Sequence, residues 1–353
     1  MEQLVPLGWT DEFYQKWLRL STEGLQPARV VADFGTSLKI ATPGICTAEL
    51  SGKLAHYSNR QNVPKIGDWV AARLASSGHT VIEEVVPRRS EIARKVAGKR
   101  TVKQVMAANV DIAFVLLALD DDFSVKRLER FLYQLSADNI DPVIVLNKAD
   151  KTKDLASYTT QLQVFKLPII VTTATTGSGV DEIMKYIRPG KTAIFLGSSG
   201  VGKSTLTNQL LGRHAQDTQA VRAADSTGKH TTVHRELFML PGGGLLIDTP
   251  GIRELQLWGT QDDLDDNFDD IALLARQCQY ANCSHSGEAG CAVREALNRG
   301  TLNAAHYASY LKMQQELAGL KARNAVQQQK KNKRSAKGLR RQSEDMDDLS
   351  EQF

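Results

Sequence analysis

An α/β fold is predicted for this chain of 353 residues. Three observations carry that expectation. Short alternating apolar runs, separated by glycine turns, fill the stretch from about Ala28 to Val86. Apolar strands then alternate with amphipathic helices from Asn109 to about Leu255. Finally, three of the four cysteines crowd between Cys278 and Cys291 inside an otherwise helical stretch. A chain of this length holds two or three domains, each with enough residues to bury a core.

Taken in order, residues 1–25 should be a helical segment. Trp9, Phe13 and Trp17 recur there at helical spacing, which suits packing against the body rather than contact with a membrane. Residues 26–95 offer five short strands, Arg29–Ala32, Leu38–Ala41, Cys46–Leu50, Asp68–Arg73 and Thr80–Val85. Five strands in so few residues suit a small barrel of OB type. Such barrels often bind oligonucleotides, but few aromatics interleave these strands, so sequence-specific base stacking is not expected. Cys46 reads as a small buried hydrophobe. Residues 96–257 read as a doubly wound domain, with Val110–Leu119 a buried strand and Val125–Leu135 an amphipathic helix. Residues 258–320 look helical, and 321–353 form a tail. No internal repeat is present.

The chemistry is concentrated in the doubly wound part. Gly197-Ser198-Ser199-Gly200-Val201-Gly202-Lys203-Ser204 is a complete phosphate-binding loop between an apolar strand, Thr192–Leu196, and a helix opening at Ser204–Leu211. Its glycines let successive N–H groups turn inward around phosphate oxygens, and the helix N-terminus adds partial positive charge. Lys203 can reach the β- and γ-phosphates and the Ser204 hydroxyl can ligate Mg²⁺; Thr205, next in the helix, belongs to the same site. The base is chosen elsewhere. Asn147-Lys148-Ala149-Asp150 follows the strand Pro142–Leu146. A carboxylate at Asp150 can accept from guanine N1–H and the exocyclic amine, a donor pair that adenine lacks. Asn147 would tie this loop to the phosphate loop, and the Lys148 stem can lie over the base. After the strand Pro168–Val171 comes Thr172-Thr173-Ala174, where a backbone N–H, that of Ala174, is placed to donate to guanine O6.

Downstream lie Gly228-Lys229-His230-Thr231-Thr232 and Asp248-Thr249-Pro250-Gly251. Asp248 ends the apolar run Gly244–Ile247, which suits a carboxylate meeting Mg²⁺ through water. The Gly251 N–H can sense a γ-phosphate, and either Thr231 or Thr232 can give a hydroxyl to Mg²⁺. The order is base loops, then phosphate loop, then γ-phosphate sensors. A conventional small GTPase runs phosphate loop, sensors, base loops, so this domain looks like a circularly permuted P-loop GTPase. Such rewiring is possible because the ends of a compact domain often lie close together. It tethers whatever follows Gly251 to the segment that responds to hydrolysis.

Cys278, Cys283, His285 and Cys291 form C-x4-C-x-H-x5-C, a set suited to one tetrahedral structural Zn²⁺ with no open position for catalysis. A disulfide with one free thiol is the rival reading. The N-terminus shows no signal peptide or membrane-spanning run, so a reducing, cytoplasmic compartment is expected and zinc is favoured. Net charge is +4, but nine Lys/Arg and no acid lie between Lys321 and Arg341, so the other residues carry 35 basic and 40 acidic groups. A second cluster, Arg88–Lys103, has seven basic residues and only Glu91 against them. Solvated charge accounts for both blandly; a polyanionic partner accounts for them more sharply. A nuclear localisation signal is a further reading of the tail if the source cell has a nucleus. The closing acidic stretch, Glu344 to Glu351, could compete for the tail within the chain.

Together these features resemble the circularly permuted GTPases of small ribosomal subunit biogenesis, the YjeQ or RsgA family. Ala107-Ala108-Asn109-Val110-Asp111, the stretch Gly228–Thr232 and the cysteine spacing carry the likeness, which spans nearly the whole chain. The resemblance implies GTP hydrolysis stimulated by the small subunit late in its maturation. It also implies ribosomal RNA contacts from barrel and zinc domain; a monomer without membrane attachment is expected besides. Ile252 stands where many GTPases carry a water-orienting glutamine, so slow intrinsic hydrolysis is expected. The resemblance gives that role to His230, alongside Lys203, Thr231 and Thr232 as catalytic candidates; a merely exposed histidine is the alternative. A GTP-gated RNA-binding scaffold with incidental hydrolysis is the competing function, and action on tRNA or another RNA complex a third.

Overall fold

The structure is a computed structural model. It describes residues 1–20, 22–35, 37–42, 44–57, 63–74, 80–95, 103–212, 235–248 and 260–323, with 325, 326 and 329. These fall into two compact units, one holding the barrel and the doubly wound sheet, the other the helical segment from Thr260 onward.

The N-terminal aromatics pack inward. Glu2–Leu7 forms a short 3-10 helix and α1 spans Asp11–Trp17, with Asp11 and Glu12 in its first turn, where carboxylates favour the helix dipole. Trp9, Phe13 and Trp17 are buried with Trp69 and Val86, and the Trp9 and Trp69 rings meet edge to face at 4.7 Å. The segment therefore packs on the face of the Trp69–Leu74 strand that carries Trp69 and Ala71.

That barrel is β1 (Gln26–Asp33), β2 (Leu38–Ala41), β3 (Ile45–Leu50), β4 (Trp69–Leu74) and β5 (Thr80–Val85). It closes because β1 pairs antiparallel with both β2 and β4, while β3 meets β5 in parallel. Ala28, Val30, Ile40, Val70, Ala72 and Ile82 fill its interior, with register shifts at Val30/Ala32 and Ala71/Ala72. A helix not expected from sequence, α2 (Gly52–Tyr57), follows β3. The basic cluster beginning at Arg88 also holds structure: β6 (Glu91–Lys95) pairs antiparallel with β7 (Lys103–Ala108) across a register shift at Ile92/Ala93. Such a shift breaks the period-2 pattern by which a strand is recognised.

The doubly wound part runs β8 (Ile112–Ala118), α3 (Val125–Ala137), β9 (Asp141–Asn147), α4 (Leu155–Leu162), β10 (Ile169–Val171), α5 (Val180–Tyr186), β11 (Thr192–Leu196), α6 (Lys203–Leu211), β12 (Arg235–Met239) and β13 (Leu245–Asp248). Strands β10, β9, β8, β11 and β13 lie side by side in parallel. Alternate residues of β8 serve the two faces. Val115 and Leu117 pack with Leu128, Phe131 and Leu135 of α3, whereas Phe114 and Leu116 join Ile183 of α5 and Leu206 and Leu210 of α6. β12 is antiparallel to β13 and pairs in turn with β1, so barrel and α/β sheet form one continuous hydrogen-bonded surface.

A buried arginine secures that junction. Arg29 of β1 donates to Leu7 O, to Gly67 O at 3.3 Å, to Asn109 O at 3.4 Å and to Thr192 Oγ1 at 2.9 Å. Its guanidinium lies 5.4 Å from the Trp69 ring centroid. Burial lowers its pKa to about 10 against the opposing pull of Asp111, and it stays charged at neutral pH. Asp111 accepts from Arg89 at 2.7 Å, Lys191 at 2.9 Å and the Thr192 N–H at 2.9 Å. The phrase Ala107–Asp111 is thus the hinge piece between barrel and sheet.

In the second unit, Thr260 and Asp263 make a reciprocal capping box that opens the helix Gln261–Asn267. Helices Asp269–Ala275, Ala292–Arg299 and 304–323 follow. Phe268, buried, meets His306 at 4.8 Å and Tyr310 at 5.5 Å between ring centroids. Among the described residues, no helix is long and apolar enough to cross a membrane.

Candidate nucleotide site and metal centre

Every motif within the described residues of the α/β part sits at the C-terminal end of a parallel strand, the edge where doubly wound sheets bind ligands. Asn147 ends β9, Thr172 follows β10, the phosphate loop follows β11 and Asp248 ends β13. A cleft of about 510 Å³ opens there, within the range that takes a nucleotide. Its walls are Asn147, Lys148 and Asp150 from the first base loop, Ala174 and Thr175 from the second, and Gly200, Gly202 and Thr205 from the phosphate loop and its helix. Asp120, Asp121 and Lys151 complete the lining.

Asn147 is the knot. It is buried; its Nδ2 donates to Val201 O at 2.7 Å, and its Oδ1 accepts from Thr172 Oγ1 and from the Ala174 N–H, each at 3.0 Å. One amide therefore joins three loops, where the sequence suggested a tie to the phosphate loop alone. The Ala174 N–H, expected to face guanine O6, is directed to Asn147 instead, and Thr175 is the next lining residue. Thr173 turns away, its N–H bonded to Ser178 O at 3.0 Å. Lys148 adopts left-handed backbone (φ 62°) and its ammonium reaches Asp120 Oδ2 at 2.7 Å, holding that carboxyl below the ordinary range. Asp150 is exposed at the cleft rim, where an incoming base can meet it.

The phosphate loop has the backbone its glycines permit. Gly197, Gly200 and Gly202 all have positive φ. A Cβ on Gly202 would collide with Asn147 Nδ2, so only glycine allows the two loops to touch. α6 begins at Lys203, one residue earlier than read from sequence. Lys203 Nζ donates to Gly197 O at 2.8 Å and Ser198 O at 2.6 Å, which arches the loop around its ammonium. Burial raises Asp248 to about 6, with Glu236 adding to the rise and Lys203 opposing it. A half-buried carboxylate beside the phosphate lysine fits a divalent cation, as does the Ser204 hydroxyl at the helix start. His230, Thr231, Thr232, Gly251 and Ile252 lie outside the described residues.

In the C-terminal unit the metal ligands converge as their spacing predicted. The donor atoms of Cys278, Cys283, His285 and Cys291 lie within 4.8 Å of one another. His285 Nδ1 is 3.5 Å from Cys278 Sγ and 3.4 Å from Cys291 Sγ, and those two sulfurs are 4.0 Å apart. Tetrahedral zinc with S and N ligands spaces its donors by about 3.5–3.8 Å, so the set fits. The four-cysteine inventory holds no disulfide. Glu288 braces the loop: its oxygens accept from Ser284 N at 2.8 Å, Ser284 Oγ at 2.5 Å, Ser286 N at 3.0 Å and Gly287 N at 3.0 Å, bracketing His285, whose φ is 59°.

Asp120, Asp121, Lys151 and Thr175 escaped the reading of motifs. A run of three acids directly after a buried strand was the available signal, because strand ends in such sheets face the ligand.

Comparison with known proteins agrees with this architecture. A family model described as RsgA GTPase matches residues 85–258. A "Small ribosomal subunit biogenesis GTPase RsgA" of Opitutus terrae is 41% identical over 329 residues, covering 89% of this chain and 90% of that protein. One from Syntrophotalea carbinolica is 38% identical over 347 residues, 95% of each. Among solved structures, YjeQ from Thermotoga maritima superposes with a TM-score of 0.62 at 26% identity, over 84% of this chain and 99% of its own. The fold is also that of YloQ, a circularly permuted GTPase, with a TM-score of 0.58 at 20% identity over 84% and 97% of the two chains. With relatives 38–41% identical over about nine-tenths of both chains, the chain belongs to the RsgA GTPase family.

Proposed function

We propose that this chain hydrolyses GTP to GDP and phosphate on the maturing small ribosomal subunit and assists a late step of that maturation. The observation that carries the reading is the single cleft in which Asn147 joins both base loops to the phosphate loop. The names of relatives at 38–41% identity supply the partner. In this reading Asp150 selects guanine, Lys203 and the loop N–H groups hold the phosphates, and Ser204 with Asp248 would hold Mg²⁺, which would supply neutralising charge to the triphosphate. Thr231 or Thr232 adds a hydroxyl to the same cation, Gly251 senses the γ-phosphate, and His230 orients water where Ile252 cannot. Relaxation of those sensors on hydrolysis is passed along the chain to the zinc-binding segment.

The basic stretches Arg88–Lys103 and Lys321–Arg341 suit ribosomal RNA, and the protein works as a cytoplasmic monomer. Multiple-turnover GTPase assays with and without purified small subunits test the function. Stimulation by the subunit is expected; GTP-dependent binding without stimulation would instead favour a nucleotide-gated scaffold. Replacing the histidine, His230→Ala, should lower the stimulated rate by about 10²-fold while GTP affinity stays within about twofold. An unchanged stimulated rate removes His230 from catalysis.

A further inference from the structure

Both halves of the nucleotide cleft are held by one loop that lies outside all the nucleotide-binding motifs. It joins β8 to α3. Asp120 Oδ2 accepts from Lys148 Nζ of the base loop at 2.7 Å. Two residues on, Asp122 accepts the hydroxyl of Ser198 in the phosphate loop. The loop is itself braced. The Asp122 N–H donates to Asp120 Oδ1 at 3.0 Å, both Asp122 oxygens take guanidinium nitrogens of Arg127 at 2.9 Å, and Arg127 also reaches the Asp122 carbonyl at 3.1 Å. Ser124 caps α3 by accepting the Arg127 N–H at 3.3 Å.

The two grips fall where flexibility would be most costly. Lys148 has left-handed backbone and a long side chain, so nothing in its own sequence fixes its ammonium. Ser198 is drawn by its carbonyl to Lys203 at 2.6 Å and by its hydroxyl to Asp122, and is therefore pinned on two sides. We propose that Asp120 and Asp122 are positioning residues for nucleotide binding: Asp120 sets Lys148 against the base, and Asp122, oriented by Arg127, sets the arch of the phosphate loop. The inference rests on the guanine-nucleotide reading of the cleft. Preorganisation of this kind raises affinity by removing the cost of ordering on binding. It should contribute little to folding, because the Asp120–Lys148 and Asp122–Arg127 pairs are each about a third exposed.

The full-length chain is tested with fluorescent GDP for affinity and phosphorus NMR for the bound phosphates. Asp120→Ala and Asp122→Ala should each weaken GDP by about tenfold, the effect of losing one charge-assisted contact that orders the site. Only Asp122→Ala should shift the β-phosphate resonance of bound GDP; Asp120→Ala should leave it in place. Thermal melting checks the fold. If Asp122→Ala melts early, Ser198→Ala removes the same contact from the other side and should give the same shift. Binding within twofold of the parent for both variants, or an unmoved resonance in the Asp122 and Ser198 variants, overturns the proposal. A parent chain that fails to bind GDP overturns the guanine reading itself and this assignment with it.

Discussion

Asp150 shows how much one side chain decides. Its carboxylate has two lone-pair directions for two guanine donors, and its exposed place on the cleft rim, with Lys151 3.9 Å away, lets an incoming base reach it. Asp150→Asn turns one acceptor into a donor, which guanine cannot use but the 2-carbonyl of xanthine can. GTP affinity should fall by about 10²–10³-fold, and XTP should become the preferred ligand in competition binding. Asp248 makes the corresponding argument for pH. Its carboxyl, raised to about 6 mainly by burial, must be ionised to serve a cation. Mg²⁺-dependent GTP affinity should therefore drop about tenfold between pH 7 and pH 5, as the proton that binding expels becomes harder to remove. For folding alone the sign is opposite: a raised carboxyl pKa favours the folded state at low pH and loses that contribution as pH rises through about 6. Titration calorimetry in buffers of different ionisation enthalpy separates the two.

Among the elements, the turn holding the Cys₃His set has donors that fit one zinc ion. Cys278 follows one helix, Cys291 caps the next, and only Cys291 of the four ligands is buried. Hydrogen bonds to Glu288 shape the turn, and a zinc ion held by the four donors would close it. Stripping zinc with a strong chelator should remove about one equivalent of metal per chain and abolish protection of the 278–291 amides in hydrogen exchange. GDP binding by the other compact unit should be retained. Retained protection after metal loss would mean that the turn is held by its hydrogen bonds alone.

On the scale of the molecule, Arg29 is the joint. It links the N-terminal segment at Leu7, the barrel at Gly67, the hinge at Asn109 and the first residue of β11, the strand that feeds the phosphate loop. Arg29→Met keeps the length and apolar stem but removes this donor from Leu7 O, Asn109 O and Thr192 Oγ1, while Gly67 O keeps the Asn109 amide at 3.1 Å. It should destabilise the chain by about 3 kcal/mol or more in denaturant unfolding, since buried acceptors without donors are costly. A loss below about 1 kcal/mol would show that water replaces the guanidinium.

Local chemistry was legible from residues alone. Gly197–Ser204, Asn147–Asp150 and the Cys278–Cys291 spacing each need only short-range geometry, and a loop of glycines or a turn of ligands encodes that geometry within itself. The barrel strands and the alternation of β8 and α3 were legible for the same reason, since periodicity is a local record of burial. What only the tertiary structure decided is pairing across the chain. Arg29 reaching Thr192, β12 bridging two domains, Asn147 taking the Ala174 N–H and Asp122 gripping Ser198 all join residues far apart in sequence. Each partner taken alone is an ordinary arginine, strand, amide or acid, and its role comes from the neighbour that folding brings to it.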